Sequence, residues 1–372
     1  MAKMKITAAV VDEKSAPFEL RDLELEAPRS DEVLVRIVAT GICQTDLHVR
    51  DQEYPVPLPA VLGHEGAGVV EAVGRSVSSV GPGDHVILSY QACGRCRPCL
   101  QGRYSYCQRA FEANFGGARL DGSNGLHHNG AGPDVHGHFF GQSSFATYSL
   151  ATERNVVMVP RDVPLELLAP LGCGMQTGAG TVLNSLKVPV GASLAVFGSG
   201  AVGLAAIMAA KVAGAPPIVA VDVNPKRLEL AAEPGASHVL DPREIDLRDA
   251  LAAIVPGGLD FVLEITARPE LLKTAVDVLA PLGTAALIGG APQGTEAPID
   301  MNTLLFGRTV RGIIQGDSIP QLFVPQLIEM HRAGDFPFDR LVRFYEFAEI
   351  NQAVADTRTG ITVKPILRVS AV

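Results

Sequence analysis

Ser193–Gly203 reads SLAVFGSGAVG, and the chain runs on through LAAIMAAKVAGA to IVAVDVN at 218–224. A short apolar run ends at Gly198, and an Ala-rich stretch of strong helix formers begins after Gly200. The pattern is G-x-G-x-x-G between a strand and a helix, with Asp222 nineteen residues beyond Gly203. The glycines alone would be a weak signal. Strand before, helix after and an acidic residue at that distance predict a dinucleotide site. Gly198 permits the tight turn, Gly200 lets backbone approach the pyrophosphate, and Gly203 lets the helix pack on the strand. The helix N-terminus then faces the phosphates. Asp222 is placed to accept hydrogen bonds from ribose hydroxyls, and its charge would repel a 2′-phosphate. NAD is therefore expected over NADP, although Lys226 and Arg227 stand close in sequence.

The same alternation continues outward. Strand-like runs SHVL (237–240), DFVLEIT (260–266), TAALIGG (284–290) and TVRGII (309–314) are separated by helical stretches. Six strands with intervening helices predict a doubly wound parallel sheet, an α/β domain. Beyond it lie a helix near Gln321–Arg332 and a terminal strand VKPILRV.

Composition bounds the rest. The chain has 372 residues, 47% apolar and 19% charged, with formal charge −9. At about 150 residues per domain this suggests two domains or one large one. Disorder is excluded by the apolar content. The acidic balance supplies no basic face for nucleic acid or anionic membrane, so neither partner is expected. Two uncharged runs, Leu167–Leu186 and Val188–Ala210, invite a membrane reading, but glycines, Pro189 and serines break the second. It reads as a strand, a turn and a helix, not a span. The N-terminal MAKMKITAAVVDEKSAPF has no apolar stretch of signal length before Asp12, so a cytoplasmic protein is expected.

Four of the six cysteines, Cys93, Cys96, Cys99 and Cys107, lie in CGRCRPCLQGRYSYC with spacing C-x2-C-x2-C-x7-C. A reducing compartment disfavours disulfides. The four thiolates can close a tetrahedral structural zinc shell; the spacing also admits an iron–sulfur cluster. Cys43 and Cys173 remain, far apart, with His64 between them in VLGHEGAGVV. A Cys, His, Cys set is also that of an open catalytic zinc. Nothing in the spacing brings the three together.

In order, GHE at 63–65, the four-Cys loop, GCG at 172–174 and GSGAVG at 198–203 resemble the zinc-containing medium-chain alcohol dehydrogenases over essentially the whole chain. DQEYPVPLPAVLGHEG, SSFATY, ELLAPLGCGMQTGAG and EINQAVADTRTGITVKPI resemble the aryl-alcohol (benzyl-alcohol) branch, and geraniol-type enzymes too. The resemblance implies a chaperonin-10-like β-rich catalytic domain over 1–176, carrying the zinc loop 93–107. It implies a Rossmann NAD-binding domain over 177–313 and a return to the catalytic domain over 314–372.

It further implies two zinc ions per chain, one catalytic on Cys43, His64 and Cys173 and one structural on Cys93, Cys96, Cys99 and Cys107. The implied reaction is reversible NAD-dependent oxidation of benzylic or allylic primary alcohols to aldehydes, by hydride transfer from a zinc-bound alkoxide. Thr45 corresponds to the hydroxyl that takes the alcohol proton, and His48 to the histidine that releases it. Asp46 corresponds to the carboxylate that orients His64, and Glu65 to the Glu beside the metal. Thr177 and Val202 correspond to nicotinamide contacts, and Lys364 to a base on the pyrophosphate. Tyr54, Ser89, Gly290 and Ile314 are the implied substrate-pocket residues, Gly289 and Gly290 leaving space for a ring. A dimer or tetramer is implied, paired partly through TVRGII. Gln44 departs from the family, which often carries Arg or His there. The histidines of LHHNGAGPDVHGHFF (His127, His128, His136, His138) suggest a loop near the channel mouth or a further metal. A thiol-adduct formaldehyde dehydrogenase and a non-catalytic zinc and dinucleotide-binding protein are the alternatives.

Overall fold

A computed structural model of the chain describes residues 3–129 and 135–371. The chain forms two compact units, Met1–Cys173 with Ile319–Gln326 and Asp339–Val372, and Gly174–Ser318 with Leu327–Phe338.

The first unit is β-rich. A seven-stranded sheet takes Val342–Glu346, Lys364–Arg368, Glu32–Gly41, Glu65–Val73, His85–Leu88 and Val156–Met158 in that order, with Tyr148–Thr152 also pairing on Glu32–Gly41. Glu32–Gly41 is buried along almost its whole length and is the centre of this core. A second sheet orders Ala60–Val61, Lys3–Val11, Glu19–Glu26 and Leu126–His128. Register decides what meets at the end of the large sheet. Gly41 stands opposite Glu65, and Ile366, two residues after Lys364, also stands opposite Gly41. A Cβ on Gly41 would lie 2.1 Å from Glu65 Oε2, so only glycine admits that carboxylate beside the strand.

The second unit contains the six-stranded sheet predicted from the glycine motif. Its order is His238–Leu240, Ile218–Val221, Leu194–Phe197, Leu259–Glu264, Leu279–Leu287 and Thr309–Gly312, all parallel. The first strand in sequence, Leu194–Phe197, is wholly buried between two neighbours, as a parallel strand covered on both faces must be. Helices Ala201–Ala213, Pro225–Ala232, Leu247–Ile254 and Pro269–Asp277 form the crossovers.

Residues 174–176, 314–318 and 327–338 belong to this unit. Gly174–Gly180 is one helix lying on Ala201–Ala213, so close that a Cβ on Gly178 would be 2.0 Å from Val202 O. Gly316 sits against the same helix, where a Cβ would be 2.6 Å from Gln176 O. The uncharged run at 167–186 is thus a tight 3-10 turn, this helix and one wider turn. Among the described residues no helix is long and apolar enough to cross a membrane.

Candidate active site and metal centres

Cys43, His64, Glu65 and Cys173 converge in the first unit, each offering a ligand atom within 4.8 Å of the others. Cys43 precedes the short helix Gln44–Arg50, and His64 follows Gly63 at φ +88. A side chain at Gly63 would strike the Phe145 ring and backbone at about the same place, with Cδ1 2.4 Å away. Cys173 ends the turn Leu165–Gly172, which reaches this point because Gly172 packs on Leu88 O, where a Cβ would be 2.2 Å away.

One fully buried carboxylate ties two of these residues. Asp46 Oδ2 accepts from Cys43 N at 2.8 Å, and Oδ1 accepts from His64 Nδ1 at 2.8 Å and Gly63 N at 3.2 Å. With Nδ1 engaged, His64 Nε2 is buried and has no hydrogen-bond partner. Two thiols and one orphaned imidazole nitrogen fit a zinc ion with one position left open. Charge is already polarised there. The Cys173 thiol and then His64 pull the Cys43 thiol well below its usual range, against burial. Burial opposes charge on His64, but Asp46 outweighs it and holds the imidazole proton.

Lys364 is 1% exposed, and its Nζ lies 2.8 Å from both Glu65 oxygens and 3.2 Å from Ile42 O. A buried cation needs such a partner, and Glu65 supplies it. Burial pushes the Glu65 carboxyl up to about 7 against the attraction of Lys364.

Thr45 Oγ1 is 3.8 Å from Cys43 Sγ, and His48 follows one turn later, half-buried, with Nδ1 bonded to Glu53. Aromatic rings connect this end to the metal ligand. His48 meets Tyr54 at 5.8 Å, Tyr54 meets Phe115 at 6.0 Å, Phe115 meets Phe140 at 5.3 Å, and Phe140 stacks on His64 at 4.4 Å. Tyr54 thus stands in this line of rings, while Phe115 and Phe140 were not read from the sequence. Phe140 has φ +52, inside a run with His138 at +58, Gly141 at +64 and Ser143 at +53. Positive φ is costly for an aromatic residue, and Gln142 is the brace: its side chain donates to His64 O and Ser89 O at 3.0 Å each and accepts from Gly66 N at 3.1 Å.

Ser89, expected in the substrate pocket, is fully buried, and its hydroxyl donates to Gly172 O at 2.7 Å. It tethers the turn carrying Cys173 and offers no surface to a substrate. Gly289 is likewise explained by packing, since a Cβ there would be 2.5 Å from Ala267 N. Gly290 and Ile314 are exposed residues of the second unit.

Cys93, Cys96, Cys99 and Cys107 form the other group, again within 4.8 Å. None is in a disulfide. Cys93 N, Gln108 N and Arg109 N donate to sulfur at 3.3, 3.4 and 3.4 Å. Such N–H donors stabilise thiolates, and those from Gln108 and Cys99 bring Cys96 down to about 6. Among the described residues the loop's buried apolar cluster is Ala92, Cys99 and Cys107, with Tyr104 and Ala110 partly buried against it. Among the described residues, the histidines of 127–138 join neither metal group. His127 Nε2 pairs with Glu26 at 3.0 Å, and His138 Nε2 accepts from Gly125 N at 3.1 Å. The centre of that loop, 130–134, lies outside the described residues.

In the second unit Gly198 takes φ +100, and a Cβ on Gly203 would be 1.9 Å from Gly198 O. At Gly200 a Cβ would meet nothing within 4 Å, which leaves that face open to a phosphate. Asp222 accepts from Ser199 N at 2.7 Å and Asn224 N at 2.8 Å, with Arg227 at 3.8 Å. Two carboxylate oxygens have about four acceptor sites, so capacity remains for ribose hydroxyls. Val202 is half-buried on the helix after the glycines, and Thr177, on the helix packed against it, is nearly buried beside Gln315.

A fold of this kind with two such cysteine centres defines a zinc-binding dehydrogenase. The sequence matches the family models of the alcohol dehydrogenase GroES-like domain over residues 29–161 and of the zinc-binding dehydrogenases over residues 201–330. It is 46% identical over 363 residues to geraniol dehydrogenase of Castellaniella defragrans, covering 97% of this chain and 96% of that one. The crystal structure of an alcohol dehydrogenase zinc-binding domain protein from Burkholderia ambifaria superimposes with TM-score 0.97, at 55% identity and complete coverage of both chains. Benzyl alcohol dehydrogenase from Acinetobacter calcoaceticus follows with TM-score 0.95 and 51% identity over 99% of this chain and 100% of that one. The chain belongs to the zinc-containing medium-chain alcohol dehydrogenases.

Proposed function

We propose that this alcohol dehydrogenase oxidises benzylic or allylic primary alcohols to aldehydes with NAD. The observation that carries the substrate class is the line of rings from His48 through Tyr54, Phe115 and Phe140 to His64. Planar, conjugated substrates gain most from such a wall, because offset and edge contacts between rings add about 0.5–1.5 kcal/mol each beyond area. The names of the geraniol and benzyl alcohol relatives point the same way.

Cys43, His64 and Cys173 would hold the catalytic zinc, and Cys93, Cys96, Cys99 and Cys107 the structural one. When bound, the catalytic zinc supplies Lewis acidity that makes the substrate hydroxyl a better acid, and NAD supplies the hydride acceptor. The chain's own groups do the rest. Asp46 keeps the His64 proton on Nδ1 and so aims Nε2 at the metal. Thr45 Oγ1 accepts the substrate's hydroxyl proton as it gives up its own to the relay, and His48 Nε2, on a partly exposed ring, takes up the relayed proton and passes it to solvent. Glu65, held by Lys364, supplies a carboxylate beside the ligands. Glycines 198, 200 and 203 with Asp222 bind the dinucleotide, and the Asp222 charge favours NAD over NADP. Homo-oligomerisation is supported by the exposed edge strand Thr309–Gly312 and by Leu282, Leu305 and Phe306, which are 80%, 80% and 65% exposed.

Initial rates of NADH and NADPH formation across benzylic, allylic and short aliphatic alcohols test this reading. Phe115→Ala should lower kcat/KM about tenfold for benzyl alcohol and leave a short aliphatic alcohol within about twofold. Equal losses for both would remove the aromatic wall from the argument.

A further inference from the structure

The helix Gln44–Arg50 ends in a geometry that selects its neighbours. Asp51 is the C-cap, and Gln52 takes the left-handed φ +56. Gln52 N donates to Val49 O at 2.9 Å and Glu53 N donates to His48 O at 2.9 Å. These two bonds, five-to-two and six-to-one, define a Schellman ending in which the side chain two residues past the cap meets the one three residues before it. That contact is commonly apolar. Here it joins Glu53 to His48, and His48 Nδ1 bonds Glu53 Oε2. Gln52 fastens the turn by donating from Nε2 to Val49 O at 3.1 Å and Val56 O at 3.2 Å.

The pair is exposed enough, at 27% and 46% of the two side chains, that it adds little to stability. Among the described residues the imidazole has two partners, Glu53 at Nδ1 and the Tyr54 ring edge. The other charges of the turn are engaged elsewhere. Asp51 is taken by Arg50 at 3.1 Å and by Arg358.

We propose that Glu53 is a positioning residue for proton release: by accepting the His48 Nδ1 hydrogen it fixes the tautomer whose free lone pair is on Nε2. A carboxylate acceptor on one ring nitrogen sets the role of the other. A proton from the relay forms the Nε2–H bond, the Nδ1–H bond stays on the ring and donates to Glu53, and the resulting imidazolium returns the Nε2 proton to water. This inference rests on the placement of His48 in the relay, so the test separates the two.

Glu53→Leu restores the usual apolar contact of a Schellman ending and is expected to fold. In zinc- and NAD-loaded enzyme labelled with 15N at histidine, His48→Gln identifies the His48 signals. At a pH where histidine is neutral, wild-type His48 should show the Nδ1–H tautomer and Glu53→Leu should move toward Nε2–H. With benzyl alcohol, Glu53→Leu should lose kcat about tenfold with KM within about twofold, and Glu53→Gln, whose oxygen still accepts from Nδ1, should recover most of it. An unchanged tautomer or kcat in Glu53→Leu, with kcat lost in His48→Gln, overturns the role of Glu53 and leaves the relay standing. Full kcat in His48→Gln overturns the relay itself, and the role of Glu53 with it.

Discussion

Asp46 shows how much of this site depends on single side chains. It is fully buried and bonds both Cys43 N and His64 Nδ1, so two ligands share one anchor. Its role, like the grouping of Cys43, His64 and Cys173, was legible only through the family resemblance and not from the spacing. Lys364 was not readable in the same way. Its partner is set by strands that bring positions 41, 65 and 364 together, a relation spanning about three hundred residues that no local motif records. His138 is a further case. In the sequence it is one histidine of four in a loop, but folded it is buried, with its pKa lowered to about 3 by burial and by Arg119 and Arg29. Between about 6.5 and 3 the unfolded chain therefore binds a proton that the native chain does not. Stability is unaffected by this group above about 6.5 and falls by about 1.4 kcal/mol per pH unit on acidification below it. His138→Asn keeps a side chain tolerant of φ +58 and an acceptor for Gly125 N. In urea unfolding the variant should lose about 2 kcal/mol less than wild type between about pH 7 and about pH 5. Equal losses would contradict the burial argument.

At the scale of elements, periodicity and spacing located strands well and their ends less well. TAALIGG begins five residues after the strand Leu279–Leu287 does, because the pairing with Leu259–Glu264 is irregular at its start and the alternation breaks there. The run 138–143 escaped notice for a different reason. Left-handed conformations at His138, Phe140 and Ser143 are imposed by Gln142 and its distant carbonyl partners, not by local preference. The cysteine loop is the opposite case: C-x2-C-x2-C-x7-C announced it directly. Its buried apolar cluster is small, and on the proposed reading metal ligation supplies the folding energy of the loop. Cys99→Ser should leave the loop open locally, and trypsin cleavage at the exposed Arg95 and Arg103 should rise about tenfold or more. Unchanged cleavage with zinc content reduced by one ion per chain would show that the loop folds without it.

At the scale of the molecule, the parallel sheet was legible because each strand carries its own apolar run and the glycine motif fixes where the first one ends. The β-rich unit was legible only through family resemblance, since its sheet joins residues from both ends of the chain. Within that unit Cys43, His64 and Cys173 come to one place, and the C-terminal strand brings Lys364 against Glu65 beside them. Anomalous scattering at the zinc edge from crystals of fully loaded protein tests this most directly. The account predicts two peaks per chain, one among the four loop cysteines and one at about 2.0–2.3 Å from His64 Nε2, Cys43 Sγ and Cys173 Sγ. A fully occupied loop site with no peak among Cys43, His64 and Cys173 would contradict it.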